Sequence, residues 1–161
     1  MNEILIQGIL AFAATVGFCI IFRVPIRLIP VCALAGALAW SLYELVYNFG
    51  SHNQIIATFA AAGLVGLLAD VFARVLKEAA TIFIIPGILP LVPGAYIFYT
   101  MEALIENNMA DVSSYGPDTL KIAVAIALGL LVEGAVTSVI HAIYHKTVRV
   151  TSDVMGVFRR R

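Results

Sequence analysis

The sequence predicts an all-α integral membrane protein with five transmembrane segments, the fourth a helix broken at a proline- and glycine-rich motif. Three observations carry that prediction. Of the 161 residues, 61% are hydrophobic and only 12% charged, with a mean hydropathy of +0.99, far outside the range of a soluble domain of this size. The apolar residues fall in five runs, each long enough at about 1.5 Å per helical residue to cross a hydrocarbon layer of about 30 Å. Inside the fourth run, Ile85-Pro86-Gly87-Ile88-Leu89-Pro90-Leu91-Val92-Pro93-Gly94 cannot form one straight helix, because proline lacks an N–H and its ring collides with the preceding turn.

The first span covers about Ile4 to Phe22, and Met1-Asn2-Glu3 lacks the basic start of a secretory signal, so this run is expected to stay in the mature protein. Arg23 and Arg27 flank Pro25 in a short turn. The second span, about Leu28 to Tyr47, sets Gly36, Trp40 and Tyr43 at helical spacing, and its aromatic end suits a membrane interface. Asn48 to Asn53 reads as a polar, flexible connection. The third span, about Gln54 to Leu76, puts Ala62, Gly66 and Asp70 four apart, so small residues that allow close helix approach share a face with an acid. The fourth, about Ala79 to Ile105, holds the motif. Glu106 to Asp118 carries Asn107-Asn108, Ser113-Ser114 and Gly116-Pro117 and reads as a loop. The fifth span is about Leu120 to Ile143. Residues 1–145 then form a single transmembrane domain and 146–161 a basic cytoplasmic tail. Cys19 and Cys32 fall inside spans and read as small apolar fillers.

Orientation follows from the basic residues. With each segment counted as one crossing, Arg23, Arg27, Arg74, Lys77, Lys146, Arg149 and the terminal Arg159-Arg160-Arg161 share one side, leaving only Lys121 opposite. The positive-inside rule makes that side cytoplasmic, with the N-terminus outside and the C-terminus inside. A re-entrant fourth segment would send the arginine-rich tail outside, so a broken helix that does cross is expected.

Helical hydrogen bonds lost at the motif find no replacement in lipid, so neighbouring helices, trapped water or a polar ligand must supply them. A second half-helix starts after Pro93-Gly94, and its free N–H groups and positive dipole end favour a carboxylate near mid-membrane. Thr81 before the break, and Tyr96, Tyr99 and Thr100 beyond it, offer hydroxyls to a small polar solute. The plain alternative is a kink that only lets neighbouring helices pack.

On the fifth span Gly129, Glu133, Thr137, His141 and His145 follow at intervals of four, a slowly winding polar stripe. An ionised acid at the bilayer centre costs roughly 2.5–3.5 kcal/mol. Glu133 is therefore either a proton-carrying or solute-contacting group, with His141 connecting it to the cytoplasm, or an acid held neutral in a helix interface. Asp70 is a further proton-coupling candidate, although Arg74 at i+4 favours an ordinary ion pair. Glu133 and the Ala62/Gly66 face have no obvious cover within five spans, so association with itself or with a second subunit is expected. His141 and His145 have a metal-compatible spacing, but Ala142 stands where a zinc protease carries its glutamate, so no metal or other cofactor is expected. Phosphate loops and nucleophile elbows are absent from the sequence, no enzyme is expected, and the terminal arginines read as a topology anchor near anionic lipid, with no nucleic acid partner.

Ala73-Arg74 and Lys77, then Ala80-Thr81-Ile82-Phe83-Ile84-Ile85-Pro86-Gly87-Ile88-Leu89-Pro90-Leu91-Val92-Pro93-Gly94, followed by Tyr99-Thr100-Met101, resemble the C-terminal half of the threonine/serine exporter family. The length and the single motif look like the separate small subunit of a split exporter, which works with a larger membrane subunit. The resemblance implies export of a small hydrophilic metabolite from a bacterial cytoplasm across the inner membrane: threonine or serine, or a short dicarboxylate. It places functional weight on Pro86, Gly87, Pro90, Pro93, Gly94, Tyr99 and Thr100. With no nucleotide-binding motif in the sequence, an ion gradient, most simply protons, is the expected energy source. The alternative is a non-transporting scaffold that stabilises a larger transporter partner.

Overall fold

The computed structural model describes the backbone of residues 2–158 and the side chains of 4–140 except Ser51. Six α-helices follow one another: α1 (Asn2–Ile21), α2 (Ile29–Val46), α3 (Gln54–Leu76), α4 (Thr81–Ile88), α5 (Gly94–Ile105) and α6 (Met109–Phe158). Among the described residues no strand occurs. Among the described residues four helices are long and apolar enough to cross a membrane, and the count rises to five if α4 and α5, bent by 58° at their junction, form one span.

Small residues set the helix packing. A Cβ on Gly36 of α2 would lie 2.2 Å from Thr15 Oγ1 of α1, so this pair approaches as closely as a bare backbone permits. Thr15 is fully buried and donates its hydroxyl to the Ala11 carbonyl at 2.7 Å. The α3–α6 contact brings backbone against backbone: a Cβ on Gly129 would stand 2.6 Å from the Phe59 carbonyl oxygen and 3.1 Å from the Gly63 nitrogen. The order of these contacts, Phe59 and Gly63 with Gly129, then Gly66 with Glu133, shows that α3 and α6 run parallel. The faces expected to lack cover thus cover each other, because Gly66 leaves the space that the Glu133 side chain fills.

Helix ends are locked by backbone geometry. α1 stops at Arg23, in the left-handed region at φ 54. Val24 N–H donates to the Cys19 carbonyl at 2.9 Å and Arg23 N–H to that of Ile20 at 3.1 Å, the paired bonds of a Schellman end. α3 ends at Lys77 in the same conformation, φ 56, with Glu78 N–H on the Ala73 carbonyl at 3.0 Å. An ion pair between Arg27 and Glu78 joins these two turns at one end of the bundle.

Three local expectations are corrected. The break does not begin with the first proline of the motif: Pro86 and Gly87 stay within α4, a short 3-10 turn covers Leu89–Leu91, and the break falls at Val92-Pro93. Pro86 cannot donate to the Ile82 carbonyl, but the Cys32 thiol does so instead, at 3.6 Å, so the proline defect is repaired from α2. The loop expected over Glu106 to Asp118 shrinks to Glu106–Asn108, with Pro117 inside α6. Asn108 starts that helix: its side chain accepts from Asp111 N–H at 3.4 Å and donates to the Asp111 carboxylate at 2.7 Å, an N-cap stronger than the breaker signals downstream. The connection after α2 is ordered too. It forms a π-helical turn over Tyr47–Ser51, with Tyr47 stacked on Tyr43 at 6.1 Å and Asn48 donating to Glu44 at 2.9 Å.

Candidate functional site

The break at Val92-Pro93 opens onto a cavity of about 160 Å³ between the motif and α2, α3 and α6. Pro90 to Tyr96 form one wall, Trp40 and Tyr43 a second, and Gln54, Thr58 and Ile122 the rest. Pro93 adopts φ −76, ψ 57, an inverse γ-turn in which Gly94 N–H returns to the Val92 carbonyl at 2.7 Å. One of the amides expected to be free at this helix start is therefore satisfied. Ala95 and Tyr96 follow at positions whose N–H groups have no preceding helical turn to accept them. Gly94 itself meets nothing within 4 Å of an added Cβ, so the helix start is open to the cavity.

The polar groups around this space are few and fixed. Tyr96 donates its hydroxyl to Gln54 Oε1 at 3.2 Å. Trp40, tilted on Tyr43 at 5.2 Å, is anchored by its own N–H to Gln7 Oε1 of α1 at 2.9 Å. Thr58 is 2% exposed and lines the cavity, and among the described residues no buried side-chain nitrogen or oxygen lacks a hydrogen-bond partner. A hydroxyl on the wall of a cavity can donate to, or accept from, a polar solute that enters it.

A second cavity, about 270 Å³, lies at the other end of the broken segment, lined by Thr81, Ile82, Ile85 and Pro86 together with Phe22 to Pro25. Packed structure separates the two. Phe83 and Pro86 are fully buried, and a Cβ on Gly87 would lie 3.2 Å from Val65 Cγ1 and 3.9 Å from Ala35 Cβ. Val65 is the midpoint of α3, so the middle of the bundle holds this seal, and the break sits closer to the end where α3 begins.

The residues singled out from the sequence are thus divided. Pro90, Pro93, Gly94 and Tyr96 line the first cavity; Thr81 and Pro86 line the second; Gly87 packs in the seal. Tyr99 turns to α6, 5.6 Å from the Tyr115 ring, and Thr100 donates to the Tyr96 carbonyl at 2.6 Å, so neither faces the cavity. Glu133 accepts from the Thr137 hydroxyl at 2.7 Å and rests on Gly66, outside the lining of either cavity. Asp70 pairs with Arg74. The side chains of His141 and His145, and the whole of Arg159 to Arg161, lie outside the described residues. No metal-binding group of histidine, cysteine or carboxylate residues occurs among the described residues. Gln7, Gln54 and Thr58 escaped the sequence reading, although a lone amide inside or at the edge of an apolar run was the signal for the first two.

Residues 7–136 of the chain match the family described as Threonine/Serine exporter, ThrE. The matched stretch takes in both cavities, the seal between them and Glu133. No solved structure matches the chain. The chain belongs to the threonine/serine exporter family.

Proposed function

We propose that this member of the threonine/serine exporter family is the small subunit of a secondary exporter in a bacterial inner membrane. With a larger membrane subunit it moves a small carboxylate-bearing metabolite, threonine or serine or a short dicarboxylate, out of the cytoplasm at the expense of a proton gradient. The cavity at the break is the substrate site. Its volume suits a metabolite of a few carbons better than a drug-sized ligand, and the start of α5 favours a carboxylate at Ala95 and Tyr96. The broken segment crosses the membrane with Thr81 toward the cytoplasm and the N-terminus of the chain outside, in keeping with the basic residues at one end.

The observation that carries this reading is the small cavity in which the Thr58 hydroxyl and the start of α5 share one lining. A carboxylate or hydroxyl oxygen of the substrate meets both. Alternation of access then requires the packed stretch from Phe83 to Gly87 to loosen, as expected where a broken helix forms the moving part of a carrier. Glu133 is the proton-coupling candidate that remains; its bond to Thr137 and its position on Gly66 make the coupling one that passes through α3 and not by contact with the substrate.

Thr58→Val removes the hydroxyl and keeps the shape. Efflux of labelled threonine or succinate from cells producing both subunits is expected to fall by about tenfold, the worth of one hydrogen bond to a charged group, with the complex still assembled. Full efflux by the variant excludes the cavity as the substrate site, and loss of assembly instead supports a scaffold.

A further inference from the structure

Four cations gather at the end of the bundle where α4 begins: Arg23, Arg27, Arg74 and Lys77. Arg27 is paired with Glu78 and Arg74 with Asp70. Arg23 has no acidic partner among the described residues, yet it lines the cavity of about 270 Å³ with Thr81, Ile85 and Pro86 of the broken segment. The Thr81 hydroxyl likewise has no hydrogen-bond partner among the described residues. Arg23 also occupies the left-handed position that ends α1, at φ 54, where glycine is the unstrained choice. The left-handed backbone is strained for arginine, while the carbonyl end of α1 favours a cation there, and Lys77 stands likewise at the end of α3.

We propose that Arg23 and Thr81 form a second anion subsite, specific for a small carboxylate, at the basic mouth of the broken segment and separate from the Thr58 cavity. The guanidinium takes the carboxylate through charge-assisted hydrogen bonds, and the Thr81 hydroxyl donates to the same ligand from the opposite wall. Ile85 and Pro86 close the apolar side. The seal of Phe83, Pro86 and Gly87 stands between this subsite and the other, so a carboxylate held here is poised to move on when α4 shifts. This assignment rests on the reading of the chain as a carrier of carboxylate metabolites. A lipid phosphate offers the same oxygen acceptors at a membrane boundary, and the test separates the two sources.

The full chain is placed in nanodiscs of phosphatidylcholine, alone or mixed with phosphatidylglycerol, and treated with phenylglyoxal while succinate or L-threonine is added. Peptide mass spectrometry follows Arg23, with the paired Arg27 and Arg74 as internal controls. Protection of Arg23 by either carboxylate in phosphatidylcholine, lowered by Thr81→Val and retained in Thr58→Val, supports the subsite. Protection by phosphatidylglycerol alone, with no further effect of the carboxylates, assigns the cation to lipid and overturns it. In the assembled exporter, Arg23→Gly relieves the left-handed strain, so its melting temperature holds or rises. KM for the cytoplasmic substrate is expected to increase about tenfold with kcat little changed, as one charge-assisted hydrogen bond is lost, and Arg23→Lys restores part of the loss. Unchanged KM together with absent protection overturns the subsite and leaves the carrier reading intact. Protection in an assembled complex that moves no carboxylate overturns the carrier reading and leaves the subsite standing.

Discussion

α3 presents two faces, each in contact with a glycine of a neighbour, and the two contacts differ in kind. Toward α6 a Cβ on Gly129 would run into backbone, the Phe59 oxygen at 2.6 Å and the Gly63 nitrogen at 3.1 Å. Toward α4 a Cβ on Gly87 would meet a methyl group, Val65 Cγ1 at 3.2 Å. Backbone cannot give way without unwinding a helix, whereas a side chain yields by a few tenths of an ångström. The first contact is a fixed joint and the second an adjustable one, which locates motion in the broken segment and stability in the α3–α6 pair.

The largest effect that tests this contrast is Gly129→Ala. It is expected to destabilise the protein at or beyond the upper end of overpacking penalties, roughly 1–3 kcal/mol, seen as lost thermal stability in detergent micelles; a well-folded variant would show that the joint can open. Gly87→Ala is expected to shift stability by about 1 kcal/mol or less while slowing efflux, because the added methyl props the seal against Val65. Equal losses of stability in these two variants would erase the distinction between the faces. Smallest in stability is Glu133→Gln, which keeps the volume resting on Gly66. Thermal stability is expected to hold within about 0.5 kcal/mol, and the pH dependence of efflux to flatten. An unaltered pH profile removes Glu133 from proton coupling and leaves the α6 face purely structural.

The helical runs were legible because hydropathy needs no tertiary information, and the existence of a break was legible because three prolines cannot share one straight helix. Its position was not. Whether Pro86 ends a helix depends on whether the orphaned Ile82 carbonyl finds another donor, and the donor, Cys32, comes from a different helix fifty residues earlier in the chain. Read as a small filler, that cysteine had no visible partner. The motif residues that line the cavity could be anticipated from their local chemistry. Thr58 could not, since only the packing of α2, α3 and α6 around the motif turns its hydroxyl into a buried group facing a void. Glu133 shows a different limit: the space its side chain occupies is left by Gly66 of α3, a pairing between distant helices that the sequence does not reveal.

The parallel pairing of α3 with α6 also fixes an order of assembly. This backbone-to-backbone joint connects helices separated in sequence by the whole of α4 and α5, so it cannot close until α6 has been synthesised and inserted. Until then the glycine face of α3 stands open, and the broken segment is laid against α2 and α3 before its surroundings are rigid. The segment proposed to move therefore enters the membrane before the joint that fixes α3 to α6 can form.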